Sequence, residues 1–82
     1  MTFAKIFDTR LGQVVAVLHY EDDRPDIRFF GMTDKMGVQS VSIGYDVGGW
    51  KTAQKGFHKV SCEMAENALL QIHSIFNTEI ED

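Results

Sequence analysis

The sequence predicts an α+β fold: an antiparallel four-stranded β-meander followed by one or two C-terminal helices packed on one face of the sheet. Three observations carry this expectation. Apolar runs in the first half alternate with turn signals at short intervals. After Asp46-Val47-Gly48-Gly49 the apolar spacing switches from a strand period to a helical one. The chain has 82 residues, which suits a single α+β domain over 1–82, with strands within about 3–45 and helices within about 49–77.

Phe3 to Phe7 reads as a first strand near a sheet edge, with Phe3, Lys5 and Phe7 on one side and Ala4 and Ile6 on the other. Asp8-Thr9-Arg10-Leu11-Gly12 is a turn in which Gly12 can take a positive φ. Gln13 to Glu21 is the strongest strand. Val14, Val15 and Val17 are β-branched and suit a pleated surface, and apolar residues on both faces place it centrally. Glu21-Asp22-Asp23-Arg24-Pro25-Asp26 reads as a wet hairpin loop, because its carboxylates are costly to bury; Pro25 fixes its own φ and biases Arg24 toward extended geometry. Ile27 to Met32 returns. Thr33-Asp34-Lys35-Met36-Gly37 turns again, and Val38 to Tyr45 alternates Val41, Ile43 and Tyr45 against Ser40, Ser42 and Gly44.

Trp50, Ala53, Phe57 and Val60 then recur at helical spacing, with Lys51, Lys55 and Lys59 on the outer face. Ser61 can cap a second helix with Glu63 in its first turn, where the helix dipole favours an acid. Ala65, Ala68, Leu69, Ile72 and Phe76 form its inner stripe, and Asn77 can end it. A single bent helix is the alternative.

Composition excludes several classes. The chain is 44% hydrophobic, too rich for a disordered segment. Its longest clean apolar run, Val14 to Leu18, is far short of a membrane span. No basic region followed by an apolar stretch opens the sequence, so no signal peptide is expected. The single cysteine, Cys62, rules out an intramolecular disulfide and fits a reducing cytoplasm. Net charge is −4, unevenly placed. Residues 1–59 hold 7 acids and 8 bases, whereas Glu63, Glu66, Glu79, Glu81 and Asp82 follow with no Lys or Arg. That balance disfavours nucleic acid, which needs cations to displace counterions, and suits a basic protein partner.

Catalytic and metal motifs are weak. His58, Cys62 and Glu66 stand at four-residue intervals, but a second cysteine is lacking and Ser61 would break the ladder. Cys62 with His58 or His73 could make a thiol enzyme, yet Glu63 and Glu66 disfavour the thiolate, and a partly buried structural thiol is expected. Asp22, Asp23 and Asp26 lack calcium-loop spacing. No enzyme activity, metal or cofactor is expected. Tyr20, Phe29, Phe30 and Tyr45, with Arg10, Arg24, Arg28 and Lys35, allow an alternative reading as a single-stranded nucleic-acid binder. Adjacent Phe29 and Phe30 must face opposite sides of a strand, so one aromatic is left on the face the helices do not cover. The expected contact residues are therefore Glu63, Glu66, Glu79, Glu81 and Asp82, with Phe29 and Phe30 as apolar anchors. A homodimer through the open face or an edge strand is also expected.

Asp8-Thr9-Arg10-Leu11-Gly12-Gln13-Val14, then Pro25-Asp26-Ile27-Arg28-Phe29-Phe30, then Gly37-Val38 to Gly44-Tyr45-Asp46 with Gly49-Trp50, resemble small uncharacterised phage and prophage accessory proteins. The resemblance covers most of the chain to about Phe57 and transfers no functional residue. It implies a short accessory gene of a mobile element. Such genes often encode stoichiometric inhibitors of host proteins, of the anti-CRISPR or nuclease-inhibitor type.

Overall fold

A computed structural model describes residues 3–21, 24–44 and 49–77. It has β1 (Phe3–Thr9), β2 (Gly12–Glu21), β3 (Arg24–Met32) and β4 (Val38–Gly44), then α1 (Gly49–His58) and α2 (Cys62–Phe76). The strands pair antiparallel in the order β1-β2-β3-β4, and both helices pack on the sheet. The α+β meander is therefore as expected, and the helices are two. None of the described helices is long and apolar enough to cross a membrane.

The turns follow local chemistry. Thr9 and Gly12 are register partners, and Gly12 takes φ 137°. The Thr9 hydroxyl donates to the Gly12 carbonyl at 2.6 Å and accepts from Leu11 N at 3.1 Å. In the β3–β4 turn, Thr33 Oγ1 accepts from Met36 N at 2.9 Å and donates to the Gly37 carbonyl at 2.7 Å, with Gly37 at φ 67°. Such positive φ values suit glycine, which has no Cβ to clash. The expected loop over Glu21–Asp26 is shorter than its composition suggests. Arg24, Pro25 and Asp26 already belong to β3, paired with Glu21, Tyr20 and His19. Asp26 Oδ2 accepts from Arg28 Nε at 3.3 Å, whereas its buried Oδ1 lies 3.3 Å from His19 Nδ1 without a hydrogen bond.

Alternation puts Val14, Ala16, Leu18, Ile27 and Phe29 on the inner face, where they meet Ala53, Phe57, Ala65, Leu69 and Ile72 of the helices. Phe29 is 2% exposed. The helices take opposite ends of the sheet. At one end Trp50 of α1 packs on Tyr20 and Phe3, with ring centroids 5.2 and 6.2 Å apart. Lys5, the one charge on the inner side of β1, is accommodated by the C-terminus of α1. Its Nζ donates to the Phe57 carbonyl at 2.9 Å and sits 5.0 Å from the Phe57 ring. The Phe57 carbonyl also accepts from Val60 N at 3.1 Å, and a cation suits the negative end of a helix dipole.

At the other end α2 lies across both turns. Ser61 caps it, with its hydroxyl accepting from Met64 N at 3.2 Å. The C-terminal end is fastened by Asp34 N donating to Asn77 Oδ1 at 2.9 Å and by His73 Nε2 at 3.0 Å from the Met32 carbonyl.

Candidate functional site

The face of the sheet opposite the helices is built by the same alternation. Register places Ile6, Val15, Phe30 and Ser40 side by side across the four strands. Ala4, Val17, Arg28 and Ser42 form the next row. Val15, Val17 and Phe30 are half-buried by their neighbours. Ile6, Met32 and Val38 are 67%, 62% and 56% exposed. The result is an apolar band across a sheet that the helices leave bare. It is bordered by exposed Asp8 and by the His19–Asp26–Arg28 group.

The expected contact residues divide sharply. Phe30 lies on this open face. Phe29 does not, and its expected role as a contact anchor is corrected: it is sealed beneath the helices, paired with Ala16 and Val41 in the core. Glu63 is exposed in the first turn of α2. Glu79, Glu81 and Asp82 lie outside the described residues.

Glu66 is bound internally. Its Oε2 accepts from Arg10 Nη2 at 3.0 Å, and its Oε1 accepts from Arg10 Nε at 3.1 Å and Arg10 N at 3.3 Å. The Arg10 side-chain hydrogen bonds hold the Glu66 carboxyl below the usual carboxylate range, reinforced by the backbone bond and the charge; partial desolvation opposes them. The pair fastens α2 to the β1–β2 turn, so Glu66 offers a partner less charge than its sequence position suggests. A lowered folded pKa means that its stabilisation is complete above the ordinary value of 4.5 and disappears as pH falls through the lowered one. Glu66→Gln is expected to lower the melting temperature slightly at neutral pH. The gap to the parent protein should close in acid below pH 4.5. The effect is small because the Arg10 side chain is 89% exposed. A gap that persists unchanged in acid would assign the loss to packing instead.

The His58–Cys62–Glu66 ladder is broken because α1 ends at His58 and Ser61 starts a new helix. Cys62, expected to be partly buried, is exposed; its thiol points to the Asp8 carbonyl at 3.6 Å. No group of three His, Cys, Asp or Glu side chains that could hold a metal occurs among the described residues. The aromatics proposed for base stacking are also divided. Tyr20 packs on Trp50 and Phe29 is in the core, while Phe30 stands on the opposite face. Tyr45 lies outside the described residues.

Sequence reasoning missed Val15, Met32 and Val38 as members of the apolar band. Alternation from Phe30 could have placed Met32 beside it, but the cross-strand row needs the register. It also missed a notch of about 250 Å³ beside β4, lined by Phe29, Val41, Ile43, Met64, Asn67 and Gln71 among others. Comparison with protein-family models, curated proteins and solved structures found no match to this chain.

Proposed function

We propose that this domain is a non-catalytic protein-binding module that contacts its partner through the open sheet face, with Phe30 as the central anchor. One observation carries the reading: the apolar row Ile6–Val15–Phe30, with Met32 and Val38 beside it, lies on the face the helices leave uncovered. An apolar band of this kind, rimmed by polar groups, is characteristic of interaction surfaces. Net charge of −4 favours a partner with basic residues, attracted at longer range by acids such as exposed Glu63 on the helix layer. The form of such a module implied by the phage resemblance is a stoichiometric inhibitor of a host protein.

The test is capture from nuclease-treated host lysate with the parent protein, Phe30→Lys and Glu63→Lys. The expected result is one protein retained in stoichiometric amount, lost with Phe30→Lys and weakened with Glu63→Lys, while both variants stay folded at the capture temperature, Phe30→Lys melting below the parent. Retention unaffected by Phe30→Lys would overturn the open-face reading. Capture that vanishes with nuclease would transfer the function to nucleic-acid binding.

A further inference from the structure

We infer that β4 is a self-recognition edge, and that two copies of this chain pair antiparallel through Val38–Gly44, centred on Val41, to form a continuous eight-stranded sheet. The inference is independent of the open-face reading, because it uses the strand edge and leaves Phe30 uncovered.

The sheet has two edges, and they differ. Natural edge strands are usually protected by charges, inward-pointing charges, proline or bulges. β1 carries Asp8 and the inward-pointing Lys5. β4 reads Val-Gln-Ser-Val-Ser-Ile-Gly, with no charge and no proline, and its pairing with β3 is regular throughout. Among the described residues, a seven-residue edge without charge or proline is therefore left unpaired, whereas β1 carries charges.

The strand is self-complementary. Antiparallel pairing about Val41 sets Val41 opposite itself and uses all seven residues. Ser40 then faces Ser42 of the second copy, and Ser42 faces its Ser40. Small hydroxyl pairs of this kind can hydrogen-bond across strands, and like charges at those positions would repel. The α2 surface above the edge agrees. The notch beside β4 is bounded by Met64, Asn67 and Gln71, none of them charged. Two copies of a chain with net charge −4 repel on average, but neither β4 nor the lining of the notch brings a charge to this seam. Ile43, 44% exposed beside the notch, falls opposite the second copy's Gln39 and loses exposure on pairing. A heterologous strand would satisfy the backbone edge too, but it has no reason to match the Ser40-Val41-Ser42 symmetry.

The pairing is about 23 Å long, a single seven-residue seam, which is small beside the interfaces of stable complexes. Association is therefore expected to depend on concentration in the micromolar range. Sedimentation equilibrium of the parent protein should show a monomer–dimer equilibrium. Ser40→Glu/Ser42→Glu sets acid against acid twice across the seam and should weaken the dimer about tenfold or more. Ser40→Lys/Ser42→Glu instead sets an ammonium at position 40 against the carboxylate at position 42 of the second copy, in both places, and should restore it. Both variants put the same carboxylate at position 42, the register partner of Arg28 within the chain, so thermal melts should show both folded. A parent protein that stays monomeric into the hundreds of micromolar overturns the inference. So does a dimer that ignores the double Glu variant, or one that the Lys/Glu variant fails to restore.

Discussion

Replacing Gly31 with alanine is expected to destabilise the domain by about 1–3 kcal/mol, although alanine is ordinarily the better strand residue. A Cβ at Gly31 would overlap Leu69 Cδ1 and lie 3.5 Å from Ile72 Cδ1. Leu69 has little room to retreat. It is 1% exposed and packed within the core, and its other methyl lies over Gly12, which also lacks a Cβ. The side chain is thus held between two glycines of neighbouring strands, which is how α2 approaches the sheet so closely. Loss of chain entropy in the unfolded state would favour alanine by about 0.4–1 kcal/mol, too little to offset the overlap.

Leu69→Ala should cost about 2–5 kcal/mol through the cavity it leaves. The two changes should not add. The alanine methyl at residue 31 occupies part of the space that Leu69 vacates, so the double variant should be more stable than the sum of the singles by about 0.5–3 kcal/mol. Urea unfolding with an unchanged slope measures all four corners of this cycle. Strict additivity would mean that α2 does not rest on Gly31.

Phe29→Ala is expected to cost about 3–5 kcal/mol, against roughly 1 kcal/mol for Phe30→Ala. The residues are adjacent and chemically identical, so the difference reports the face alone. Phe29 is among the largest buried side chains, under both helices, whereas Phe30 keeps one side in water. For a domain of this size total stability is about 5–10 kcal/mol. Phe29→Ala should therefore leave a substantial unfolded fraction on modest heating, with the urea midpoint at least halved in the less stable limit. Equal losses for the two variants would mean that Phe30 is buried in solution, against the open-face reading.

Much of this architecture was legible in the residues. A strand repeats every two residues and a helix every 3.6, so the apolar spacing in Val14–Leu18, Val38–Ile43 and Ala65–Ile72 is enough to name the elements and their buried sides. Ser61 marks its cap because a hydroxyl before an apolar stripe has a local partner, Met64 N, three residues on. Gly12 and Gly37 mark their turns for the same kind of local reason.

What the residues left open were choices between equivalent local answers. Alternation says that Phe29 and Phe30 face opposite ways, but not which way the helices lie. That was decided by fit: Ala16 and Gly31 beside Phe29 leave space for Leu69 and Ile72. The acids of Glu66 and Asp26 looked solvent-directed because their surroundings in the chain are charged. Their partners, Arg10 fifty-six positions away and His19 across a hairpin, exist only once register and helix crossing are set. Periodicities, turns and the helix cap could be read from the chain alone, since each depends on a few neighbouring residues. Which face is bare, which carboxylates are engaged internally and which edge is unprotected emerged with the three-dimensional packing, because these depend on contacts between segments far apart in the chain.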